Sequence, residues 1–170
     1  MKFRRCFVST LTVSAAMLFG AAALGADLPK EGTYSTTYST FGTVKATPVG
    51  KQVELFAFDE NGLSVGKGLL DHLTWHCWGL FEIVNGVAQA PALYCVATDP
   101  AGDQLAGTGA AEKHAQDAKS FGGSVTWTAG TGKYAGISGA FKFVCHPDFR
   151  AAAEGTYLLY CTQEGSYKLP

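Results

Sequence analysis

The sequence predicts an all-β fold, a small closed antiparallel barrel of about eight strands with little helix. Three observations carry this. Runs rich in Thr, Val, Tyr, Phe and Trp recur beyond the first 25 residues, turn signals interrupt them every dozen residues or so, and no long segment keeps a helical period. In order, the runs are TYSTTYSTFGTVKA, QVELFAF, a weaker LSVGKGLL, DHLTWHCWGLFEIV, PALYCVAT, GSVTWT, GKYAGISGAFKFV and GTYLLYC. Asn61-Gly62, Asn85-Gly86, Asp99-Pro100-Ala101-Gly102 and Gly130-Thr131-Gly132 supply the turns. The one helix candidate is AAEKHAQDAKS, residues 110 to 120, read as one or two turns on a surface connection.

Residues 1–25 read as a cleaved signal peptide. Lys2, Arg4 and Arg5 form a basic start, Phe7 to Ala23 is apolar, and Ala23-Leu24-Gly25 offers small residues for cleavage before Ala26. Residues 26–170 then form a single barrel domain of a size that supports a real core. This places the mature protein in the periplasm or outside the cell, and no later stretch is long and apolar enough to span a bilayer. Of 13 Lys and Arg against 14 Asp and Glu, cleavage removes three basic residues and no acidic one, leaving a net charge of −4. A mildly acidic chain without a basic run excludes nucleic acid as the expected partner.

Cys6 leaves with the leader, so four cysteines remain. An even number in an exported chain reads as two disulfides. Cys77 and Cys95 are equidistant from Gly86, within the Asn85-Gly86 hairpin signal, and Cys145 and Cys161 are equidistant from Ala153. The expected pairs are therefore Cys77–Cys95 and Cys145–Cys161, each within one hairpin.

The stretch GTGKYAG, residues 130 to 136, has the glycine spacing of a dinucleotide-binding loop. Such a loop must open a helix, and Gly136, Ile137 and Gly139 make a poor one. The phosphate-loop pattern fails as well, with Trp127 where glycine is required and Tyr134 where Ser or Thr should follow the lysine. The expected structure is a tight hairpin turn at Gly130–Gly132, followed by a strand through Gly136 and Gly139. GTGKYAGISGAF, after a short Thr/Trp strand, resembles the glycine-rich hairpin of allene oxide cyclase-like barrels, which include plant dirigent proteins. FDENG, DHLTWHCWG and YCVATDPAGD resemble segments of exported Gram-negative bacterial proteins with this barrel. The resemblance implies eight antiparallel strands around a central cavity and a homo-oligomer as an expected assembly. It carries over no catalytic residue.

Chemistry concentrates in residues 71 to 84. As a strand, this segment has an apolar face of Leu73, Trp75, Cys77, Phe81 and Ile83. Its mixed face carries His72, Thr74, His76, Trp78 and Glu82, with Tyr94 opposite Trp78. Two readings are open. In one, the apolar face packs into the barrel and the mixed face meets solvent. In the other, the mixed face lines the lumen, the apolar face meets another subunit, and His72, His76, Trp78, Glu82 and Tyr94 bind a ligand. No metal is expected: on a strand His72 and His76 stand about 13 Å apart, against Zn–N bonds of about 2 Å. His114 reads as a solvated loop residue. Asp99 to Asp103 reads as a proline-started turn, because Ala110 occupies the place of a calcium loop's final glutamate. No serine is marked as a nucleophile, no cofactor is indicated and no catalytic residue can be assigned. The leading functional reading is a barrel binding a small apolar or aromatic molecule. A cofactor-free isomerase or cyclase using cavity His or Glu, and a structural envelope protein with a filled barrel, stand beside it. N-terminal sequencing of protein from its own host is expected to begin at Ala26; a chain beginning at Met1 would remove the argument for export.

Overall fold

The computed structural model describes residues 28–148 and 153–170, so the proposed signal peptide lies outside the described residues. Eight strands follow one another around a closed antiparallel barrel: β1 (Glu31–Val49), β2 (Val53–Lys67), β3 (Thr74–Val84), β4 (Val87–Thr98), β5 (Gln104–Ala115), β6 (Phe121–Gly130), β7 (Ser138–Asp148) and β8 (Thr156–Lys168). Pairing of β1 with β8, from Glu31 opposite Lys168 to Thr43 opposite Thr156, closes the ring and leaves no sheet edge unpaired. Among the described residues no helix is long and apolar enough to cross a membrane.

Three local expectations are corrected. Asn61-Gly62 is not a turn; VELFAF and LSVGK belong to one continuous strand, β2. A side chain at Gly62 would collide with the carbonyl of Ser39 and the ring of Tyr38, so this glycine admits a neighbouring aromatic ring. Residues 110–115 are not helical but belong to β5, where pairing with β4 and β6 overrides the Ala- and Gly-rich composition that made this segment look unlike a strand. His114 accordingly sits on a strand, half-buried. Finally, β6 and β7 are joined by more than a tight hairpin. A three-residue 3-10 turn, Gly132–Tyr134, intervenes, and Gly136 (φ 75°) falls in the connection while only Gly139 lies in β7. The extra turn lets Tyr134 fold under the barrel, where it is buried and donates to Asp99 Oδ2 at 3.3 Å. The groups of this loop that resembled a phosphate cradle serve the protein's own carboxylates: the Lys133 N–H donates to Asp103 Oδ2 at 3.2 Å, and the Lys133 ammonium pairs with Asp99.

The two disulfides are Cys77–Cys95 and Cys145–Cys161, each between residues directly opposite on adjacent strands. Their symmetry about the turn needs one more feature in the first hairpin. Asn85 and Gly86, both at positive φ, make a two-residue turn between Val84 and Val87, which alone would set Cys77 opposite Tyr94. A bulge places Ala90 and Pro91 against Phe81 and moves the register on by one residue, bringing Cys77 opposite Cys95. Proline suits that place because it has no N–H to contribute to the ladder.

Removing either bridge as a pair, Cys77→Ala with Cys95→Ala or Cys145→Ala with Cys161→Ala, is expected to cost about 3 kcal/mol. The melting temperature should fall by on the order of 10 °C. Unchanged melting of both double variants would contradict a structural role for the bridges.

Candidate functional site

The barrel is filled at one end and open within at the other. At the closed end, Trp75 and Trp127 meet at 6.2 Å between ring centroids, and Phe141 packs against them at 5.9 and 5.3 Å. Both indole N–H groups are satisfied, Trp75 by Ser64 Oγ at 2.9 Å and Trp127 by Tyr34 Oη at 3.1 Å. Leu69, Leu70 and Leu73 on the β2–β3 connection, with Tyr134 and Ile137 on the β6–β7 connection, seal that end.

Beyond this floor lies a cavity of about 230 Å³ that extends toward the β1–β2, β3–β4 and β5–β6 connections. Its wall is mostly apolar, including Phe56, Phe58, Phe81, Phe121 and both disulfides. Toward the mouth His114 stacks on Phe121 at 4.9 Å, with Phe81 edge-on to Phe121 at 5.7 Å. The His114 Nδ1–H donates to the Glu112 carbonyl at 2.8 Å.

Among the described residues, this wall holds one buried carboxyl, Glu60. β2 alternates, so Phe56, Phe58, Glu60 and Ser64 share the inner face. Tyr157 Oη donates to Glu60 Oε2 at 2.8 Å, and Tyr38 Oη donates to Oε1 at 3.2 Å. Tyr157 comes from β8, two strands away, and crosses over β1 at Gly42, which is opposite both Tyr157 and Glu60. A methyl group at Gly42 would lie 2.4 Å from Tyr157 Cζ; one at Gly62 would lie 2.6 Å from Tyr38 Cε2. Two glycines thus clear the path for two tyrosines to reach one acid. Nearby, Thr36 Oγ1 donates to Gln163 Oε1 at 3.2 Å, and Gln163 also lines the cavity.

Burial pushes the Glu60 carboxyl up from its ordinary value to about 7, against the two tyrosine hydroxyls, which stabilise the anion, and with a smaller upward push from Asp59. Tyr38 and Tyr157 are held well above the ordinary phenol range, by burial first and then by the Glu60 charge, so they act as neutral donors. The arrangement offers a carboxyl that exchanges its proton near neutral pH inside an apolar chamber.

The five ligand-binding candidates from the sequence do not line this chamber. His76, Trp78 and Tyr94 lie on the outer wall: His76 Nε2 meets Asp59 Oδ2 at 2.9 Å, its ring stacks on Trp78 at 4.9 Å, and Trp78 stacks on Tyr94 at 5.9 Å. His72 precedes β3, at φ 57°, and pairs with Asp71 on the surface. Glu82 accepts a hydrogen bond from Gln89. The reason is the strand period: Trp75, Cys77, Phe81 and Ile83 take the inner positions, so their neighbours point outward. Glu60, Tyr38, Tyr157 and Gln163 escaped the sequence reading. A signal existed for Glu60, a carboxylate in phase with Phe56 and Phe58.

No family model matches the chain, and no curated protein matches it significantly. Among solved structures, the pterocarpan synthase dirigent protein GePTS1 superposes with a TM-score of 0.50, at 11% sequence identity, over 84% of this chain and 88% of that one. The fold is a dirigent-like barrel. At that identity the likeness is one of fold.

The raised pKa of Glu60 has a definite sign for stability. The protonated carboxyl suits the fold, so its contribution is complete below the ordinary value near 4.5 and is lost as pH rises through about 7. That loss is on the order of 3 kcal/mol. Glu60→Gln is expected to remove this component, so denaturant unfolding at pH 4.5 and pH 8 should differ less in the variant than in the parent. An identical difference in both proteins would rule out the assignment.

Proposed function

We propose that this protein binds a small apolar or aromatic molecule inside the barrel, with Glu60 and its tyrosines holding the ligand's polar group. The supporting observation is the unequal filling of the lumen. Aromatic side chains pack one end solid, while the other encloses about 230 Å³ bounded by apolar wall and a single hydrogen-bonded acid. A barrel with a purely structural role has no need of that space or of a buried carboxyl. The volume is below the roughly 300–1,000 Å³ of drug-sized sites, which points to a ligand of one or two rings.

Glu60 also supports a second reading, a cofactor-free isomerase in which this carboxyl moves a proton within the bound molecule. A pKa near neutrality suits general acid–base work. It is the cavity carboxyl that the expected Glu82 is not. GePTS1 is a pterocarpan synthase dirigent protein; for this chain the likeness supports the barrel fold. Export of a mature domain spanning residues 26–170 fits the two disulfides, which persist in oxidising compartments.

The test is binding of a neutral fluorescent naphthyl probe. Ala88, buried in the β4 wall of the cavity, is the position to block. Ala88→Trp should abolish probe binding while the protein still melts cooperatively, and Trp78→Ala on the outer wall should leave it unchanged. Equal binding by the parent and a folded Ala88→Trp variant would place the ligand elsewhere.

A further inference from the structure

At the polar end of the cavity, Glu60 and its two tyrosines present acceptors. Both tyrosine hydroxyl protons are committed to Glu60, one to each carboxylate oxygen. What this trio offers the chamber is lone pairs, on the carboxylate and on the two phenol oxygens, while the amides of Gln163 and Gln116 elsewhere in the lining carry N–H donors. Among the described residues no Lys or Arg lines the cavity, and its charge is that of Glu60. The rest of the wall is mostly apolar and includes the rings of Phe58, Phe81 and Phe121, and aromatic rings favour a cation placed over them.

From this geometry we propose that the cavity selects a lipophilic amine, bound as its ammonium ion with N–H donated to Glu60 and its apolar body against the phenylalanines, and that it rejects a carboxylate of the same shape. The proposal rests on the binding reading above and adds the ligand's charge. An incoming carboxylate would meet Glu60 in a poorly solvated chamber, where like charges at short range strongly disfavour each other. An ammonium would supply the cationic partner that the buried acid lacks.

Binding is then coupled to proton release. An ammonium requires the ionised acid, so below about pH 7 its affinity should fall about tenfold for each pH unit. The groups facing Glu60 are Tyr38 from β1, Tyr157 from β8 and the disulfide-bonded Cys77 from β3, none of which titrates between pH 5 and 8. Asp59, its neighbour in sequence, points to the outer wall and pairs with His76. His114 at the mouth is the other titratable side chain of the lining, so the pH series is repeated in His114→Gln.

Isothermal titration with benzylamine, benzyl alcohol and benzoate tests the proposal, using the disulfide-bonded protein from pH 5 to 8. At pH 7.5 benzylamine should bind at least tenfold more tightly than benzyl alcohol, with benzoate weakest. Glu60→Gln, melting cooperatively, should bring benzylamine down to the level of benzyl alcohol and abolish the pH dependence; His114→Gln should retain that dependence. Benzyl alcohol or benzoate binding the parent as tightly as benzylamine would overturn the proposal, as would an amine preference that survives Glu60→Gln. If the naphthyl probe binds and benzylamine does not, the ligand class is wrong and the cavity reading stands. If neither binds, both fall.

Discussion

An eight-stranded barrel encloses just enough room to be filled by its own side chains or to hold one small ligand. The rest of this structure depends on how that fixed width is shared along the axis. At one level Trp75, Trp127 and Phe141 pack against one another across the lumen; beyond it, a wall of phenylalanines and the two disulfides leaves the axis open. The cavity is thus the other half of the packing that makes the closed end solid. The same width explains why glycines matter: Tyr157 and Tyr38 reach Glu60 along the wall only because Gly42 and Gly62 leave the wall bare beneath their rings.

Register links the covalent framework to this arrangement. With a period of two, a shift of one residue in β3 would send Trp75 and Cys77 outward and His76 and Trp78 inward. The Cys77–Cys95 bridge opposes that slip because both sulfurs must share the inner face, and the bulge at Ala90-Pro91 sets the register in which they meet. Cys145–Cys161 does the same for β7 and β8. The bridges therefore help decide which side chains line the chamber, as well as stabilising it.

Much of the fold could be read from the sequence, because turn chemistry and alternation are local. Asn85-Gly86 marked its hairpin, Asp99 to Gly102 marked another turn, and cysteine spacing matched the disulfides. The pairing of Cys77 with Cys95 followed from placing the turn's centre on Gly86, whereas the structure centres it between Asn85 and Gly86 and supplies the missing residue through the bulge. Where pairing overrode local preference the reading failed: Asn61-Gly62 is a strand interior, and residues 110–115 are strand despite their alanines. The candidate site was harder to read. His76, Trp78 and Tyr94 looked functional by residue type, but their phase puts them on the outer wall. Glu60 sits within FDENG, and its partners lie 22 and 97 residues away, joined to it by barrel closure.

Two buried acids show what distinguishes a structural carboxylate from one open to a partner. Asp99, at the closed end, exposes as little surface as Glu60 but lies at a far shallower depth, and burial alone would still raise its pKa. Instead Lys133 and the N–H groups of Asp103 and Ala101 outweigh that cost and hold it below the ordinary carboxylate value. Its charge is fully provided for within the fold, where it ties the β4–β5 turn to the β6–β7 connection. Glu60 receives two neutral hydroxyls and no cation, so its pKa moves the other way. A buried charge without a counter-charge is costly, and the fold lowers the cost by letting the acid hold its proton. The difference lies in position. Lys133 can reach Asp99 from the protein's own connecting loop, while the space beside Glu60 is cavity, where a cationic partner would have to arrive from outside.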